Sequence, residues 1–144
     1  MSADATARPV LLYDGECGLC NACVRLLLRA DQSGALHYAP LQSEPAQEFL
    51  RARGLPTEDF DTLIFVPNWP RRTSAPFLVR TDAVLAACAV AGGFVGWLSE
   101  LRAVPRTWRD ALYKCVARLR YRLFGEYRPR PLARAEWAGR FLAR

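Results

Sequence analysis

Two cysteines three residues apart, set between an apolar run and a helical pattern, constrain this chain more than any other feature. The stretch is Tyr13-Asp14-Gly15-Glu16-Cys17-Gly18-Leu19-Cys20-Asn21-Ala22-Cys23. Val10-Leu11-Leu12-Tyr13 leads in, and a short continuous apolar run suits a strand buried on both faces of a sheet. Asp14-Gly15 breaks it. Cys20, Cys23, Val24, Leu27 and Leu28 then follow the i, i+3, i+4, i+7, i+8 spacing of one buried stripe, which predicts a helix from about Gly18 to Ala30. Asp31-Gln32-Ser33-Gly34 stops it. A dithiol placed where a strand meets a helix reads as a redox site.

A thiolate is the attacking species in disulfide exchange. The first turn of a helix presents free N–H groups and partial positive charge. Cys17 at that turn is expected to be an exposed nucleophile. Cys20 lies on the same side, within bridging reach, and can resolve a mixed disulfide formed on Cys17. Gly18 leaves room for a partner backbone and Leu19 offers an apolar contact, so both are expected to touch substrate. Asp14 and Glu16 place negative charge near the thiols, with no His or Lys between the cysteines to oppose it. A mild, reducing couple is therefore expected. Two roles are open for Asp14: accepting the proton of Cys20, or closing the turn after the strand.

Cys17, Cys20 and Cys23 also make three ligands at i, i+3, i+6, so a metal or cluster site has to be weighed. No second CxxC or CxxH completes the set, and His37 is the only histidine. Cys23 falls on the buried stripe, where a free cysteine packs as a small hydrophobe. No metal and no cofactor are expected.

The remaining chain supports a small α/β domain. Its 144 residues suit one core, with 51% hydrophobic and 24% charged residues. Leu36–Leu41 reads as a second strand and 44–53 as a helix with Pro45 in its first turn. Thr62–Val66 is a strand signal, Phe77–Arg80 a returning strand, and Thr81 or Asp82 caps a helix to about Ala91. Shorter helices follow, one to about Leu101, one from Pro105 to about Gly125, and one over 132–142. On the second, Trp108, Leu112, Cys115, Val116, Leu119 and Leu123 form an apolar stripe, and Lys114, Arg118 and Arg122 recur on another face. The organisation expected is a loose terminus over 1–8, a redox core over 9–92 and a basic helical extension over 93–144. Strand, helix, strand, helix, strand, strand, helix makes a four-stranded mixed sheet, the order of the minimal thioredoxin-like fold.

Charge is uneven. Residues 1–101 hold 8 Arg against 11 Asp/Glu (net −3), and residues 102–144 hold 12 Lys/Arg against 3 Asp/Glu (net +9). A solvated helical face explains this, and peripheral contact with a membrane or an acidic partner is the alternative. No nucleic-acid motif accompanies it, so no nucleic-acid partner is expected. The first nine residues carry no apolar leader segment. The run Ala83–Ser99 is short for a membrane span and is broken by Gly92, Gly93 and Gly96. The expected compartment is the cytoplasm, where thiols stay reduced.

At Asp14-x-x-Cys17-x-x-Cys20 the sequence resembles the DCC family of thiol-disulfide oxidoreductases. Tyr38–Ser43, Asp61–Val66, Arg80–Ala83 and Arg120–Gly125 carry the resemblance along most of the chain. It implies a thioredoxin-like, glutaredoxin-like βαβαββα core with extra C-terminal helices. It also implies an enzyme that reduces disulfides of protein or small-molecule substrates. Family members often carry a cysteine just after the Arg120–Gly125 stretch, where this chain has Glu126–Pro131. Thioredoxin-like enzymes place a cis-proline before the third strand, facing the cysteines. Here Thr62 takes that place and is the expected substrate contact. The helix after Arg80 should start at the same sheet edge. Thr81 and Asp82, helped by Arg80, are then positioned to hold the carboxylate of glutathione or another thiol reductant, with ordinary N-capping as the alternative.

Overall fold

The computed structural model describes residues 8–32, 34–58, 63–124 and 135–142. Four strands, β1 (Val10–Tyr13), β2 (His37–Pro40), β3 (Ile64–Val66) and β4 (Leu78–Val79), form one sheet in the order β2-β1-β3-β4. β1 runs parallel to β2, with Leu11 opposite Tyr38, and antiparallel to β3, with Leu11 opposite Phe65. β3 and β4 are antiparallel. Four α-helices accompany them: α1 (Gly18–Ala30), α2 (Glu44–Ala52), α3 (Arg80–Ala91) and α4 (Arg106–Phe124). This is an α/β, thioredoxin-like arrangement.

Strand periodicity divides the core. Val10, Leu12, Ala39, Ile64 and Val66 face one side, where α2 supplies Ala46, Phe49 and Leu50. Leu11, Tyr13, Tyr38 and Phe65 face the other, where α1 and α3 supply Val24, Leu27, Leu28, Ala83, Ala87 and Cys88. Alternate side chains of a strand point to opposite faces, so four consecutive apolar residues in β1 serve two cores at once. Burying one such leucine is worth about 1.5–3 kcal/mol.

α1 begins at Cys17, the N-cap, and ends at Asp31, whose amide donates to Leu27 O at 2.9 Å. The Asp31 carboxylate is buried and accepts N–H groups from Gly34, Ala35 and Leu36 at 3.1, 3.4 and 2.8 Å. Arg140 Nη1 donates to Asp31 O at 2.8 Å and lies 3.8 Å from its Oδ2. α3 ends at Gly92, and a run of 3-10 turns follows over Gly93–Ala103. Gly93 has φ +56, and a Cβ there would lie 2.7 Å from Ala30 O. Only glycine lets this segment cross the end of α1 so closely.

A 3-10 turn over Ala135–Arg140 brings the chain back to β2. Phe141 bridges Tyr38 in parallel, and Leu142 N donates to Tyr38 O at 2.9 Å. Among the described residues no helix is long and apolar enough to cross a membrane.

Two expectations shift, at the start of α3 and along α4. α3 starts at Arg80, with Val79 as its N-cap, so neither Thr81 nor Asp82 is the cap. Pro67–Pro76 contains a 3-10 turn at Trp69–Arg71. Arg53 fastens this loop, donating from Nη1 to Arg72 O and Ala75 O at 2.8 Å each. The apolar stripe of α4 is largely exposed, while Arg109 and Asp110 tie the helix to the start of α3.

Candidate active site

Strand β1 is apolar until Asp14, and there the chain turns. Asp14 Oδ1 accepts the Glu16 amide at 3.0 Å, and the Cys17 amide donates to Asp14 O at 3.2 Å. An aspartate that bonds its own backbone two residues on makes a compact turn. Gln42 fastens it from outside. It sits just beyond β2, and parallel strands end at the same sheet edge, so the two loops meet. Gln42 Nε2 donates to Asp14 Oδ1 at 2.8 Å, and its Oε1 accepts the Gly15 amide at 2.9 Å. A Cβ on Gly15 would come within 3.1 Å of both Gln42 Oε1 and Pro40 Cβ, a tight fit that a larger residue meets only by shifting them.

Cys17 occupies the N-cap of α1 with extended backbone, and its Sγ accepts the Cys20 amide at 3.4 Å. The positive end of the helix therefore points at the sulfur, the group that attacks as a thiolate. Asn21 secures the same turn from within. Its Nδ2 donates to Gly15 O at 3.0 Å and to Cys17 O at 2.9 Å.

Cys17 is not the exposed nucleophile expected of that position. It is 0% exposed, and Cys20 is 6% exposed. The N-cap side chain turns inward against the sheet, into the cluster with Leu11, Tyr13 and Leu63. Neither cysteine is in a disulfide.

Cys20 and Leu19 lie on the wall of an apolar groove of about 580 Å³ between α1, α3, the Gly93–Ala103 segment and α4. Cys23 lines it too and is half-buried, neither sealed in the core nor at the surface. Burial pushes the Cys23 thiol up from its usual value, and the neighbouring Cys88 and Cys17 push it further. Burial also pushes up Cys88 on α3. Among the described residues no group of three His, Cys, Asp or Glu side chains is placed to hold a metal ion.

Thr81 joins the groove wall, but its hydroxyl is engaged. It donates to Asp110 Oδ1 at 2.7 Å and accepts from Arg109 Nη1 at 3.2 Å. Asp82 pairs with Arg109 at 2.9 Å and Arg106 at 3.1 Å. The first turn of α4 thus covers the start of α3 and competes for the groups expected to hold a reductant's carboxylate. Arg80 has φ +56, and its amide donates to Leu63 O at 3.1 Å. Gly18 is half-buried at the first helical position. Thr62 lies outside the described residues.

The structure brings together Asp14, Cys17, Gly18, Leu19 and Cys20, with Thr81 across the groove. Sequence reasoning missed Gln42 and Asn21 as parts of the site. The signal for Gln42 was its place at the end of a strand parallel to β1. That for Asn21 was a polar residue inside the motif, one turn beyond Cys17.

The model of the DCC1-like thiol-disulfide oxidoreductases matches residues 11–126, from the second residue of β1 through α4. The chain belongs to this family. The YuxK protein of Bacillus subtilis is 32% identical over 126 residues, 88% of either chain. A chloroplastic DCC family protein of Arabidopsis thaliana is 30% identical over 119 residues, covering 82% of this chain and 66% of that one. No solved structure matches the chain significantly. For this DCC protein, Asp14, Cys17 and Cys20 thus stand at one sheet edge beside a large apolar groove.

Proposed function

We propose that the protein is a cytoplasmic enzyme reducing disulfides of protein or small-molecule substrates through Cys17 and Cys20. The observation that carries this reading is the pairing of two reduced cysteines on the first turn of α1, with the Cys20 amide directed at Cys17 Sγ. The Cys17 thiolate attacks one sulfur of the substrate disulfide. A mixed disulfide forms and one substrate thiol leaves with a proton. Cys20 then attacks Cys17 Sγ, Asp14 takes the Cys20 proton, and the second substrate thiol departs. Two electrons have passed to the substrate and Cys17–Cys20 is oxidised. Glutathione or another thiol returns it to the dithiol. Gly18 and Leu19 touch the substrate, Thr62 stands where related folds place a proline, and Arg80, Thr81 and Asp82 border the reductant. The burial of Cys17 requires the Asp14–Cys17 turn to open for the first attack.

Cys17→Ser is expected to abolish reduction of a model disulfide. Cys20→Ser is expected to accumulate a mixed disulfide, visible by mass spectrometry. Wild-type rates in both variants would refute the mechanism. Differential alkylation across a glutathione redox series gives the potential of the pair.

A further inference from the structure

We propose that the apolar face of α4 docks on an anionic lipid bilayer. Trp108 is 72% exposed and Leu112 67%, and Val116 and Leu119 continue the row at 38% and 37%. At 100° per residue these four fall within an arc of about 80°. Lys114, Arg118 and Arg122, all exposed, occupy an adjoining arc of about the same width. A surface helix with Trp and Leu on one face and basic residues beside it lies in the interfacial plane of a membrane. There the indole sits among head groups while cations meet anionic lipid.

Charge selects this occupant. The 102–144 region carries net +9, from 12 basic and 3 acidic residues. A second copy packed face to face would oppose two rows of like charge. A lipid surface supplies both an apolar layer and negative charge over the length of a helix that runs 19 residues. No membrane span is required, and none of the described helices makes one. Trp108, Leu112 and Val116 also line the groove that holds Cys20 and Cys23, so docking brings the groove beside Cys20 to the membrane surface. The surface is independent of the redox reading, since none of its residues handles sulfur chemistry.

The test is co-sedimentation of the full chain with phosphatidylcholine vesicles, with and without phosphatidylglycerol. Binding is expected only when phosphatidylglycerol is present, and it should fall as salt rises. Trp108→Gln with Leu112→Gln, both exposed positions, should lower partitioning at least tenfold. Lys114→Gln with Arg118→Gln should lower it roughly fivefold per charge removed. Cys17→Ser should bind like wild type, which separates this outcome from the redox mechanism. Absence of binding at low salt, equal binding to neutral vesicles, or stripe variants that bind normally would each overturn the proposal. So would a wild-type dimer dispersed by Trp108→Gln without vesicle binding, or a preference for DNA over vesicles.

Discussion

Gln42 grips Asp14 across the sheet edge, donating to its Oδ1 at 2.8 Å while accepting the Gly15 amide at 2.9 Å. One side chain therefore holds both a carboxylate and the backbone of the turn that leads into Cys17. Gln42→Leu keeps the bulk and removes both bonds. It should cost about 1 kcal/mol of stability, since the Asp14 carboxylate and the Gly15 amide each lose a partner at a site open to water. Urea denaturation measures the cost. Alkylation of Cys17 should quicken at the same time, because the turn opens more readily.

Asp31 and Arg140 should differ in what they contribute. Asp31→Ala strands three amides at the start of the β2 approach and should cost about 3 kcal/mol or more. Arg140→Met leaves those amides with their carboxylate and should cost about 1–2 kcal/mol. Paired thermal melts of the two variants test the order. An Arg140 variant less stable than the Asp31 variant would contradict it.

Gly93→Ala should destabilise by about 2 kcal/mol or more. The new methyl meets a backbone oxygen at 2.7 Å, and the positive φ disfavours any side chain. Gly96→Ala, with nothing near its added Cβ, should be close to neutral by comparison. Denaturant midpoints of the two variants measure the contrast.

Alkaline pH should weaken the fold through Cys23 and Cys88. Both thiols are raised from 9.0 by burial, so the folded chain keeps its protons after the unfolded chain has begun to lose them. The stability they lend is intact below about pH 9 and is lost as pH rises through their folded values. Under reducing conditions the urea midpoint should fall over that range, and less steeply in Cys88→Ala.

The parts of the fold that were legible rest on local signals. Val10–Tyr13 and Gly18–Ala30 have the expected bounds because β1 is uniformly apolar, the α1 stripe is regular and Asp31 stops it. Gly92-Gly93 separates two helical pieces as expected. The failures come from contacts distant in sequence. Thr81 and Asp82 look like caps until Arg109 and Asp110, almost thirty residues on, claim their side chains. Cys17 looks exposed because its local position says nothing of how the N-cap side chain packs against the sheet. Periodicity identified the residues sharing the α4 stripe, but periodicity does not say whether anything covers a stripe.

The return of Phe141 and Leu142 to Tyr38 has a consequence for the chain during synthesis. β2 is one of the two outer strands of the sheet, and an outer strand offers amides and carbonyls to any neighbouring chain. The last described residues take up part of that offer themselves. A nascent chain therefore carries an unguarded flank through the making of all four helices. Its protection against pairing with its own siblings arrives only when Leu142 does.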